Sequence, residues 1–383
     1  MLVGKIAEPA GYLAVLAFLI AALVAFCAAL SYAELAARFP VSAGISVYLH
    51  EAFKNVRFPT FMGILIIASG TISAATLLKG FGGYFVALFP LVNPIVVMGV
   101  TLAILLGIML RGIKESVGVA TVMTIIEVGG LLFLIGAVII ARPDAVPHYI
   151  DNFSHSLGSM NAAVTTGVIA AALIAFYAFI GFEDMVNIAE EVKKPQTAFP
   201  RAILAMMIVV TILYTVVVAV SLGVLSPREL GESNAPLATV YTSVTGQSAI
   251  VITIISLIAT LNGMIVNIVM GSRFLFGLSR RGWIMPWFGK VSSHHVPFRG
   301  VISVTLVAFI CAVLFPIEKL AQVTSFVLLF VFLGVNISLI VIRKRDAAKE
   351  KNMRISPTIV PWIGTFASGL LLLAQAAIYA GIL

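Results

Sequence analysis

Two places in this sequence carry acids where acids are costly. The first is Phe176-Tyr177-Ala178-Phe179-Ile180-Gly181-Phe182-Glu183-Asp184, an apolar run that ends in a glycine and two adjacent carboxylates. The second is Glu127, alone ten residues into another apolar run, or about 15 Å along a helix axis. In the first stretch Gly181 weakens a helix by about 1 kcal/mol relative to alanine. Unwinding near 178–182 would free carbonyls of the upper half-helix, and an ammonium group could bind them. A helix restarting near Glu183 would present its positive end to the acids. The alternative is a continuous helix in which Gly181 is a packing notch and the acids sit near the inner interface. At Glu127 a bare charge costs at least about 3 kcal/mol in the bilayer centre. That acid therefore faces the bundle interior, is protonated, or is paired. It is either a proton-coupling or solute-contacting group, or a neutral hydrogen-bonded contact between helices. Thr260, Asn262 and Asn267 share one later run. Such groups commonly bridge helices for about 0.6 kcal/mol each, and Thr260 and Asn262 join Glu127 and Glu183 as coupling candidates.

The elements that must position these groups follow from composition. Of 383 residues, 61% are apolar and 10% charged, against roughly 25% charged in soluble domains. Lipid is the solvent that such a chain fits. Backbone amides in lipid must be paired internally, and long unbroken apolar runs select helices over a barrel, whose strands alternate. About ten runs are long enough to span, at 11–33, 59–79, 92–110, 117–141, 163–187, 202–225, 247–272, 300–317, 320–342 and 358–382. Assigning the connections alternately to two sides puts 19 of the 24 lysines and arginines on one side and 5 on the other. The rich side is cytoplasmic, so the net charge of +8 belongs to membrane-face anchors and not to a nucleic-acid surface. Glu34 and Arg38, one helical turn apart, read as an interfacial ion pair at an inner end. His294 and His295 fall in a basic cytoplasmic loop, and Cys27 and Cys311 read as small buried hydrophobes. Asn152-Phe153-Ser154 is a glycosylation triplet of low specificity on the outer side. This topology puts Met1 outside, which leads to the expectation of one absent upstream span whose tail is residues 1–10.

Three motifs carry a family resemblance. Ser31-Tyr32-Ala33-Glu34-Leu35-Ala36-Ala37-Arg38-Phe39-Pro40, followed by Ala43-Gly44 and Tyr48-Leu49, is one. The most specific is Phe176 through Glu183, continued by Ala189-Glu190-Glu191-Val192-Lys193-Lys194-Pro195 and Phe199-Pro200-Arg201-Ala202-Ile203. The third is Ala259-Thr260-Leu261-Asn262-Gly263 with Ser272-Arg273 and Gly282. Together they resemble the second, sixth and eighth spans of the amino acid–polyamine–organocation (APC) transporter superfamily, over nearly the whole chain. The resemblance implies an all-α polytopic membrane protein with a LeuT-type fold of two inverted five-helix repeats. Residues 1–141 would form a first repeat lacking its first helix, 163–343 the second repeat, and 358–382 an extra terminal helix. Residues 2–5 look like the close of the family's first span.

The resemblance also implies a role for each matching residue. The sixth-span break would supply substrate-binding carbonyls and an aromatic gate from Tyr177, Ala178, Phe179, Ile180, Gly181 and Phe182. Where some cationic-amino-acid members carry a coupling lysine, this sequence has Glu127. The expectation is therefore secondary active transport of amino acids or related amines in the cell membrane, by proton- or sodium-coupled symport or exchange. No prosthetic cofactor, metal or nucleic acid is expected; the partners are the solute and the bilayer, with the oligomeric state open. Phosphate-loop, zinc and catalytic-triad motifs are lacking from the sequence, which argues against a pump or a membrane enzyme. A transporter-fold sensor or scaffold without transport, and an inactive truncated fragment, stand as the alternatives.

Overall fold

The computed structural model describes residues 2–39, 44–111, 117–183, 195–292, 296–346 and 355–380. The chain opens with α1 (Val3–Ala10), a 3-10 turn at Gly11–Leu13, and α2 (Ala14–Arg38). Then come α3 (Gly44–Phe53), α4 (Arg57–Leu88), α5 (Pro94–Leu110), α6 (Val117–Ala141), α7 (Ala145–Gly158) and α8 (Ala162–Tyr177). After these follow α9 (Pro195–Val224), α10 (Pro227–Glu232), α11 (Pro236–Thr245) and α12 (Ile250–Arg280). A 3-10 turn at Pro286–Gly289 leads to α13 (Phe298–Leu314), α14 (Ile317–Arg345) and α15 (Val360–Tyr379). Among the described residues, seven helices are long and apolar enough to cross a membrane, and α5, α8 and α13 are shorter apolar helices. These ten fall on the ten runs read from hydropathy. The chain is an all-α, multi-pass membrane protein.

Helix starts are set by local chemistry. Asn93 caps α5 by accepting from the Ile95 amide at 2.9 Å, with Pro94 in the first turn, where its missing N–H costs nothing. Asn161 caps α8 through the Val164 amide at 3.0 Å. Ser226 and Glu229 close a reciprocal capping box at α10. The Ser226 hydroxyl and amide hold the Glu229 carboxyl below the usual range.

The core runs through α2, α8, α9 and α14, with a satellite cluster between α4, α5, α12 and α13. Helix α4 packs on α12, α13 and α14, and α2 packs on α8, α9 and α15. Three backbone approaches are close enough to demand glycine; at one of them a Cβ on Gly223 would stand 2.1 Å from the Ala145 carbonyl oxygen. A Cβ on Gly4 would stand 1.9 Å from the Leu230 carbonyl oxygen, and one on Gly167 would stand 2.1 Å from that of Pro9. Helix α1 thus meets α10 on one flank and α8 on the other, main chain against main chain. Near the outer face, Lys79 of α4 reaches the last carbonyls of α13, bonding Ala312 at 3.0 Å and Phe315 at 2.6 Å, which suits a cation at a helix C-terminus.

Candidate functional site

Helix α8 stops at Tyr177. The amides of Ala178, Phe179 and Ile180 bond the carbonyls of residues 175, 176 and 177 at 3.0, 3.0 and 3.3 Å. These three-residue steps tighten the last turn and end the helix. Gly181 then takes φ of +130°, a region that side-chain-bearing residues rarely enter. The continuous reading of 163–187 is corrected at residue 178, where the helix has ended. The glycine is there for its φ: a Cβ would meet nothing within 4 Å. Glu183 folds back so that its Oε2 accepts the Gly181 amide at 2.8 Å. Asp184, the restart of the helix, Lys193, Lys194, His294 and His295 lie outside the described residues.

The six residues around the break take different roles. The Tyr177 hydroxyl donates to the Ser73 carbonyl at 3.1 Å and lies 2.9 Å from the Ser73 hydroxyl, tying the break to α4. Phe179 packs edge-on between Phe18 and Tyr214, and Phe182 lies against Tyr32 and Phe332. Both rings are buried. Ala178 is half-buried and Gly181 exposed. Ile180 and Glu183 line a narrow cleft with Ser69, Ser73, Asn267 and Phe274. Its free space is about 20 Å³, enough for roughly one water. An amino-acid-sized solute needs these walls to part.

The coupling candidates divide in the same way. Asn262 of α12 donates to Glu127 of α6 at 3.2 Å, so two residues 135 positions apart form one contact. Glu127 also borders a cavity of about 280 Å³ with Tyr84, Tyr214, Ser256 and Thr260, near the lower bound for small-molecule sites. The Thr260 hydroxyl bonds back to the Ser256 and Leu257 carbonyls of its own helix at 3.0 and 2.9 Å, so it lines the cavity without reaching Glu127. Asn267 likewise donates to the Gly263 carbonyl at 2.8 Å. Of these two spaces the roomier sits at Glu127, while the end of α8 sits beside the narrower cleft. Among the described residues, no group of three or more His, Cys, Asp or Glu could hold a metal ion.

Two ion pairs join charges from opposite ends of the sequence. At the cytoplasmic end, Glu34 is fully buried. Its carboxylate accepts from Arg38 Nη2 at 2.9 Å, Arg343 Nε at 2.8 Å, Arg343 Nη2, and the amides of Ile355 and Ser356 at 3.0 and 3.3 Å. The interfacial pair expected at Glu34 and Arg38 is thus one edge of a buried cluster that fastens α2 to α14 and to the start of the last span. On the outer side, Lys5 of α1 pairs with Glu318 of α14 at 2.9 Å. Each half of both pairs is visible in the sequence as a charge at a span end, but nothing local joins them.

Comparison with known proteins points to one family of transporters. The amino acid permease family matches residues 2–381. The chain is similar to branched-chain amino acid permease BcaP of Bacillus subtilis (strain 168), 27% identical, covering 90% of this chain and 77% of that protein. It is also similar to the methylthioribose transporter of Bacillus subtilis (strain 168), 26% identical over 96% of this chain and 81% of that protein. A third relative is cationic amino acid transporter 3, mitochondrial, of Arabidopsis thaliana, 27% identical over 90% of this chain and 59% of that protein.

Proposed function

This chain belongs to the amino acid permease family, and we propose that it moves amino acids or related amines through the membrane by alternating access, driven by a proton or sodium ion. The observation that carries this reading is the end of α8 at Tyr177, with Gly181 at φ of +130° just beyond it. Past Tyr177 the carbonyls of Ala178, Phe179 and Ile180 follow the last tightened turn, beside a cleft lined by Glu183, Ser69 and Ser73. Carbonyls at a broken midplane helix suit an ammonium group. Phe179 and Phe182, the two buried rings of this segment, would gate access. Glu127, held by Asn262 at the edge of its cavity, is the coupling acid in this reading, with Glu183 next to the solute. Thr260 and Asn262 shape that second space. The two inverted repeats, 1–141 and 163–343, with 358–382 added, supply the halves that move relative to each other.

The membrane in this reading is the cell membrane. Transport, rather than catalysis, is the business of the family. The substrate side chain is the open variable, since relatives are named for branched-chain amino acids, cationic amino acids and methylthioribose. Proteoliposomes of the purified chain, offered labelled leucine, arginine and methylthioribose with and without proton and sodium gradients, test the whole reading. Gradient-dependent, saturable uptake of an amino acid is expected. Saturable binding with no uptake under any gradient would replace it with a sensor.

A further inference from the structure

All three tryptophans in the sequence carry a cation over the ring: Arg281 on Trp283 at 5.5 Å, Arg299 on Trp287 at 4.8 Å, and Lys344 on Trp362 at 5.3 Å. By the charge asymmetry all three lie on the cytoplasmic side, where aromatic and basic side chains mark the headgroup level. Trp362 differs in what lies beyond it. An apolar groove of about 530 Å³ starts at its ring and runs between α2 and α15, walled by Ile20, Leu23, Val24, Phe366 and Leu370. Helix α15 leads away from the cytoplasmic face, so the groove descends from headgroup level toward the middle of the bilayer.

The charges at its mouth are unequally committed. Arg343 is taken by Glu34 and Ser356. Arg345 is taken by Asp346 at 2.9 Å and by the Glu51 carbonyl at 2.8 Å. Lys344, between them, is exposed, and among the described residues no carboxylate pairs with it. The N-terminus of α15 adjoining Trp362 has no side-chain cap, and its positive end faces the same region.

We propose that this is a binding site for one anionic phospholipid of the cytoplasmic leaflet, its phosphate at Lys344 and the α15 N-terminus and one acyl chain along the groove. The cation supplies preference for the headgroup, and the apolar walls hold the chain. The site rests on membrane topology alone and does not depend on which solute is carried.

Brominated lipids quench tryptophan only when the bromines touch the ring. With Trp283→Phe and Trp287→Phe, Trp362 is the one tryptophan left, and excitation at the red edge of its band selects it over the tyrosines. The full chain would be reconstituted with phosphatidylglycerol or phosphatidylcholine brominated in the acyl chain. One surface cation implies about fivefold stronger association of the anionic lipid. Lys344→Gln should bring the ratio near one, while Lys290→Gln, an exposed lysine of another cytoplasmic connection, should leave it unchanged. Ala367→Phe, which fills the groove, should reduce quenching by both lipids. Equal quenching by the two lipids in the parent protein would overturn the site and leave only annular lipid. Protection from both, with Leu370→Cys cross-linking to a second copy, would overturn it in favour of a dimer contact.

Discussion

Glu34→Gln tests the packing argument at its most concentrated point. The cluster holds one carboxylate and two guanidinium groups, Arg38 and Arg343, whose side chains are only 3% and 6% exposed. Glutamine keeps the shape but removes the charge, and its amide nitrogen turns a donor toward groups that are themselves donors: two arginines and two backbone amides. Breaking a buried pair by removing one partner costs about 3–5 kcal/mol. Arg343→Met is milder. It leaves Glu34 paired with Arg38 and the two amides, and forfeits the bonds to Ser356 and Pro357, about 1–3 kcal/mol in all. At about 2 °C per kcal/mol for a chain of this size, Glu34→Gln should lower Tm by about 6–10 °C and Arg343→Met by about 2–6 °C. The double variant should lose less than the sum, because removing Arg343 relieves the excess positive charge left by glutamine. The assay is thermal stability of the detergent-purified protein by size-exclusion chromatography. A Glu34→Gln protein within 1 °C of the parent, or one more stable than Arg343→Met, would refute the reasoning.

Glu127→Gln should flatten the pH dependence of uptake while keeping solute binding within a few-fold, measured across pH in proteoliposomes; an unchanged profile would make the acid structural. Gly181→Leu forces a side chain into φ of +130°, a strain of about 1–3 kcal/mol, so solute affinity should fall roughly 5- to 150-fold; affinity equal to the parent's would remove the break from the site. Tyr177→Phe removes the hydroxyl that joins α8 to Ser73, and should cost about 0.6 kcal/mol of stability with a larger loss of transport rate; unaltered rates would make that bond incidental to the cycle.

The spans were legible because lipid demands continuous apolar length, and the ten apolar helices land on the ten runs. The short helices α3, α7, α10 and α11 were not, because each is too short or too polar to leave a spanning signal and each is set by caps and packing. Gly181 with Glu183 marked the break, but only the fold shows which way the neighbouring rings turn: Phe179 toward α2 and α9, Phe182 toward α2 and α14. Glu127 and Asn262 were each singled out, yet their pairing is a fact of helix contact. The same holds for Glu34 and Arg343, 309 positions apart. Hydropathy reports what surrounds a helix on average. It carries no information about which neighbour a polar group meets.

The glycine contacts of α1 have a mechanical meaning. With Gly4 seated on the Leu230 carbonyl and Gly167 on that of Pro9, no layer of side chains separates α1 from α10 or from the outer part of α8, so there is nothing compliant to shear. These three pieces are fitted main chain to main chain. Further along α8 the helix ends at residues 178–181, where φ of Gly181 turns positive. A bulky residue at position 4 or 167 would pry these helices apart at their backbones.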